Sequence, residues 1–198
     1  MFAIYKKELK QYFHSMIGFV FLAFFIAIIS IYTWANISYG KAGNFETTLS
    51  SSTFLFVLLI PILTMRVLAE EKHQKTDQLL YTAPISIGRV IIGKYLALIS
   101  LFGMGILFIG LYPLILKHYG STGVQLAPAY SALLGFFLLG AAYIAVGTFI
   151  SSLTESQPIA AVVSFLVLLM SVLISNIAGA LPSDKLSQAA ILAVLWII

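Results

Sequence analysis

Apolar residues run without a single charge from position 16 to 36, and similar apolar stretches recur at 51–68, 89–116, 129–150 and 158–177. A helix rises about 1.5 Å per residue, so roughly 20 apolar residues cross a hydrocarbon core of about 30 Å. Each stretch is therefore predicted to be a membrane span. Ahead of the first, Phe2, Tyr5, Leu9, Tyr12 and Phe13 recur at helical spacing with Lys6, Lys7 and Lys10 between them. That pattern predicts a helix over residues 1–15 lying in the membrane interface, apolar face down and lysines toward headgroups.

Shorter polar segments separate the spans. Residues 37–50 hold Lys41 and Glu46, residues 117–128 hold Lys117 and His118, and the 151–157 turn holds Glu155. Pro158 suits the first turn of the fifth span. Ser50, Ser51, Ser52 and Thr53 suit the cap of the second, and Pro61 inside it predicts a kink, with Thr64 placed to supply the freed carbonyl. Glycines at 103, 105, 110, 135, 140 and 147 predict close helix packing. Lys94, near the start of the third stretch, is expected to snorkel to the interface. After a polar loop over 178–188, the apolar residues 189–198 are long enough for only about half a bilayer. They read as a membrane-dipping element or the beginning of a sixth span in a truncated chain.

Composition agrees with a lipid solvent. The 198 residues are 61% hydrophobic and 9% charged, with a mean hydropathy of +1.03, whereas a soluble domain carries roughly a quarter charged residues. The net charge of +4 falls at the ends of apolar spans and is no nucleic-acid signal. The absence of cysteine excludes thiolate metal sites and thiol catalysis. Placing the N-terminus in the cytosol puts eight Lys/Arg inside and Lys41, Lys117 and Lys185 outside, which the positive-inside rule favours. The expected fold is an all-α polytopic membrane bundle, a single transmembrane domain with five spans plus a partial sixth.

One interval is charge-rich. Between positions 66 and 94 lie Arg66, Lys72, Lys75, Arg89 and Lys94, with Glu70, Glu71 and Asp77. The second span is expected to run on past Arg66 toward Gln74. Thr76 then suits an N-cap, with Asp77 beside the positive end of a short helix over 77–82 that presents Leu79, Leu80 and Tyr81. Pro84 ends that helix, and Ser86 suits the cap of the third span. Such an apolar-aromatic patch at a membrane surface calls for a partner or lipid.

The run from Met65 to Ser86, followed by Gly93-Lys94-Tyr95-Leu96-Ala97, resembles the ABC-2 type transporter permeases, whose pattern is roughly R-x-x-x-E-E-[KR]-x-x-[GK]-T-x-[EQ]-L-L-x-[TS]-x-P-[IV]-[ST], then G-K-x-x-A. The start, Lys7-Glu8-Leu9-Lys10-Gln11-Tyr12-Phe13-His14-Ser15, is similar to the gliding-motility-type subgroup. Lys75 stands where the family often has Gly, and Gln78 where Glu is common. The resemblance implies the transmembrane domain of a type V exporter-like ABC permease in a bacterial inner membrane. It implies six spans per subunit, a second permease subunit, identical or similar, and a separate cytosolic ATPase that holds the ATP and Mg. It also makes residues 70–86 the coupling segment, with Glu70, Glu71, Thr76, Leu79, Leu80, Tyr81 and Pro84 contacting the ATPase. Residues 178–198 would form an outer element ahead of the last span.

Nothing in the chain offers a phosphate-binding loop, a dinucleotide fingerprint or zinc spacing. The energy for transport is therefore expected from a partner, and no cofactor or metal is expected in this chain. Two other readings compete. Glu70-Glu71 is similar to the start of an intramembrane protease motif, but Lys75 takes the Arg place, and His118 is expected on the opposite side of the membrane. A non-transporting scaffold or mechanotransducing subunit, recruiting a soluble protein through its loop, fits the same hydropathy. Spans almost free of charge count against ion-coupled transport.

Overall fold

The computed structural model describes residues 2–38, 45–73, 87–119 and 125–180. They are mostly helical, and no strand occurs among the described residues. In chain order these are α1 (Phe2–His14), α2 (Ile17–Ser38), α3 (Phe45–Ser52), α4 (Phe54–Thr64), α5 (Ala69–His73), α6 (Ile87–Ile109), α7 (Tyr112–Tyr119), α8 (Leu126–Leu153) and α9 (Gln157–Ala180). Among the described residues four helices are long and apolar enough to cross a membrane, counting α6 and α7 as one, or up to five if the bent pair α3–α4 is one span. The short helix expected over 77–82, its Thr76 cap, the Ser86 cap and the segment after residue 180 lie outside the described residues.

The core sits where α2, α4, α6 and α8 meet. Each contributes a phenylalanine to one cluster: Phe25, Phe56, Phe102 and Phe136, all buried. The Phe56 and Phe136 ring centroids are 4.4 Å apart, Phe25 and Phe102 5.4 Å, and Phe56 and Phe102 5.6 Å. Tilted and edge-on pairs of this kind align ring edges with ring faces, an arrangement favoured by the aromatic quadrupole. Two glycines let the backbones approach these rings. A Cβ at Gly105 would lie 2.8 Å from Cδ1 of Phe25, and one at Gly140 would collide with the Phe102 ring. The fifth apolar helix, α9, packs on α4, α8 and α5 at the edge of this group.

The second span bends in a different place from the one expected. Pro61 sits inside a continuous α4, while the axis turns by 51° between α3 and α4, around Thr53. The Ser/Thr run explains the site. The hydroxyls of Ser52 and Thr53 donate to the carbonyls of Thr48 and Leu49, 2.7 and 3.3 Å away, and such back-bonding bends helices. Thr53 keeps helical dihedrals and makes no side-chain cap, so the expected capping role does not arise. Nor does Thr64 serve the carbonyl that Pro61 frees, which belongs to Val57; its hydroxyl donates to Ile60 at 2.9 Å.

The expected stretch at 89–116 runs as one membrane-length span, Gly88–His118, with a local turn at Gly110 and Leu111 between α6 and α7. Tyr130 donates its hydroxyl to the Gly110 carbonyl at 3.2 Å, supplying a partner at that turn. At the other end of the bundle, α1 joins α2 through a sharp elbow. Met16 there has φ 58°, in the left-handed region, and Gly18 lies close against the Tyr12 carbonyl.

A charged anchor at one end of the bundle

The candidate coupling residues enter the structure at the end of the bundle that carries α1. Here α4 stops at Thr64, the chain turns through residues 65–68, and α5 begins at Ala69. The expected unbroken run from the second span toward Gln74 is thus interrupted. The interruption is stabilised from a distance: the backbone N–H groups of Leu68 and Ala69 both donate to the Ser151 hydroxyl on α8, each at 3.2 Å. That hydroxyl satisfies donors a helix start leaves unpaired. Gly147, one turn earlier on α8, meets Thr64 so closely that a Cβ there would clash with its side chain.

Glu70 faces back along the turn. Arg66 donates from Nε and Nη2 to its two carboxylate oxygens, both at 2.7 Å. This fork-on-fork geometry is the strongest form of the pair. Glu70 is held below the usual carboxylate range, first by the hydrogen bond from Arg66. Partial burial opposes that shift, and the charges of Arg66 and Lys94 reinforce it. Lys72 adds a further tie by donating to the Ser152 carbonyl.

Lys94 does not snorkel. Its side chain is 4% exposed, and Nζ donates to Oε1 of Glu8 on α1 at 2.9 Å, with the Glu8 side chain 8% exposed. The reason is a neighbour that the hydropathy pattern does not specify. The N-terminal helix α1 packs along α6 and brings Glu8 over the lysine. Tyr5, one turn earlier on α1, donates its hydroxyl to Ser100 of α6 at 2.9 Å. Glu8, Lys94, Arg66 and Ser151 thus join the site, although none was among the residues singled out from the sequence for coupling. Glu8 was legible in principle, being the lone acid on a basic amphipathic helix.

Of the candidate residues, Glu70 is placed in this anchor, and Glu71 follows it in α5. Thr76, Leu79, Leu80, Tyr81 and Pro84 fall in residues 74–86, outside the described residues. Both flanks of that interval are anchored. α5 is tied to α8, and α6 is tied to α1. The Lys94 charge acts on Glu70 between them. Among the described residues no cluster of His, Asp or Glu is arranged to hold a metal ion. The Glu70 carboxylate, the first of the two glutamates in the protease-like motif, is engaged by arginine.

The family model described as ABC-2 family transporter protein matches residues 34–198, well over half of the chain, and the charge-rich interval lies inside the match. The chain belongs to the ABC-2 transporter family. It is a multi-pass, helical membrane protein, the permease component of an ABC transporter. No curated protein and no solved structure gives a match. In this ABC-2 permease, Lys94, Arg66, Glu70 and Ser151 lie within the matched residues, whereas Glu8 and the rest of α1 precede them.

Proposed function

We propose that this permease exports its substrate across a bacterial inner membrane by alternating access, driven by ATP bound and hydrolysed in a separate cytosolic subunit. The N-terminus and the charged anchor face the cytosol, in accord with the distribution of lysine and arginine. A second permease subunit completes the pathway. The gliding-motility-type subgroup is our preferred placement, on the Lys7–Ser15 segment that precedes the matched range.

The observation that carries this reading is the double anchoring of the segments that flank residues 74–86. Before the interval, α5 is joined to α8 through Ser151, and after it, α6 is joined to α1 through Lys94–Glu8. A partner that grips Leu79, Leu80 and Tyr81 would thereby act on four helices at once. Nucleotide then shifts the permease between conformations to the extent that it favours one of them. Thr76 and Pro84 are assigned to the same contact, and Glu70 and Glu71 lead into it.

Purification of the complete reading frame from its native membrane in mild detergent tests this. A soluble nucleotide-binding protein is expected to co-elute, and Leu79→Asp with Leu80→Asp is expected to abolish that association while leaving membrane insertion intact. Undiminished association of the double variant would remove the coupling role from residues 79 and 80. A partner that binds no nucleotide would favour a scaffold in place of a transporter.

A further inference from the structure

A lateral groove of about 700 Å³ lies between α2 and α4, within the usual range of about 300–1,000 Å³ for ligand sites. Its walls are Val20 and Phe24 on one helix and Leu58 and Ile62 on the other, all exposed on the outside of the bundle. Its floor includes Phe21 and Leu63, which are buried. The polarity of the groove is confined to one end, where Ser15, Arg66 and Gln157 line it. That end coincides with the charged anchor and with α1, the level at which an amphipathic helix meets headgroups.

The geometry points to an occupant with the same division: an anionic phospholipid, one acyl chain lying between α2 and α4 and its phosphate at Arg66. Three features support this choice. The groove opens sideways on apolar residues of two spans, where the surrounding solvent is hydrocarbon chain. Arg66 uses two of its five N–H donors on Glu70, which leaves three for a second acceptor, and its side chain is one-third exposed. Lys6, Lys7 and Lys10 are exposed on α1 at the same end and add positive potential, which offsets the charge lost to Glu70. Gln157 adds an amide donor suited to phosphate or glycerol oxygens.

The test uses the full chain in vesicles, with Trp34→Phe and Trp196→Phe removing the native fluorophores. A single reporter is then introduced by Val20→Trp in the groove or by Leu107→Trp on an exposed part of α6. Quenching by dibrominated phosphatidylglycerol is compared with quenching by dibrominated phosphatidylcholine. At position 20 the anionic lipid is expected to be preferred about five-fold over the zwitterionic one, the effect of one basic residue at the membrane surface. At position 107 the two should quench alike. Arg66→Gln is expected to abolish the preference at position 20. Equal quenching by both lipids at position 20 overturns the proposal, as does a preference that survives Arg66→Gln. Absence of quenching at position 20 with normal quenching at 107 also overturns it, and would show that protein covers the groove. The comparison of positions 20 and 107 decides even where the Arg66 variant fails to fold, and it reads lipid contact independently of transport.

Discussion

Lys94 Nζ stands 2.9 Å from Glu8 Oε1, with both side chains almost wholly shielded, although 86 residues separate them in the chain. The contact fixes the N-terminal helix to the start of α6. Breaking a buried ion pair by removing one partner costs about 3–5 kcal/mol. Lys94→Met and Glu8→Gln should each lower the thermal unfolding temperature in detergent sharply. The double variant should recover most of the loss, because both charges are then gone. Independent, additive losses in that cycle would show that the pair is not a unit.

Acidification should loosen α5 through Glu70. Its pKa is lowered in the folded protein, so the stability it contributes is present above the ordinary carboxylate range. That contribution is lost as pH falls through the lowered folded value. Hydrogen exchange at the amides of residues 69–73 should quicken over that interval, and Glu70→Gln should remove this pH dependence while raising exchange at neutral pH. An unchanged profile in the variant would assign the effect to another group.

Ser151 is the cap of a helix that belongs to a different part of the chain. Ser151→Ala withdraws the acceptor from Leu68 and Ala69 and should cost about 1 kcal/mol. The loss should be local, with faster exchange at residues 68–72 and little change in α2 or α6.

The glycines should differ sharply from one another. Gly105→Ala places a methyl 2.8 Å from the Phe25 ring, and overpacking of this kind costs about 1–3 kcal/mol. Gly140→Ala should behave similarly against Phe102. At Gly135 nothing lies within 4 Å of an added Cβ, so Gly135→Ala should leave the unfolding temperature unchanged or slightly raised. Equal effects at positions 105 and 135 would contradict the packing described here.

What the chain states locally, it states well. Whether a stretch is apolar enough and long enough to cross a membrane depends on its own residues, because transfer into hydrocarbon is nearly a sum over side chains. The apolar stretches and the charge-rich interval between 66 and 94 were therefore legible, and so was the family to which that interval pointed. The expected close packing holds at Gly105, Gly140 and Gly147 but not at Gly135, and the sequence did not say which side chains would fill the space.

Choices among distant partners were not legible. Snorkelling was a sound expectation for Lys94 judged by its own span, since a long side chain reaches water unless a countercharge arrives; Glu8 arrives only because α1 packs on α6. Pro61 was the strongest local signal for a bend, yet the axis turns near Thr53, where back-bonded hydroxyls weaken the helix. Phe25, Phe56, Phe102 and Phe136 read in sequence as four of fifteen phenylalanines in oily runs, and they become a core only when four helices bring them together. The sequence by itself determined which segments enter the bilayer, because that is settled residue by residue against solvent. Tertiary structure alone decided which charge meets which and where the spans touch, because Coulomb attraction and close packing fall off over a few ångströms and act only between groups that the fold has already brought together.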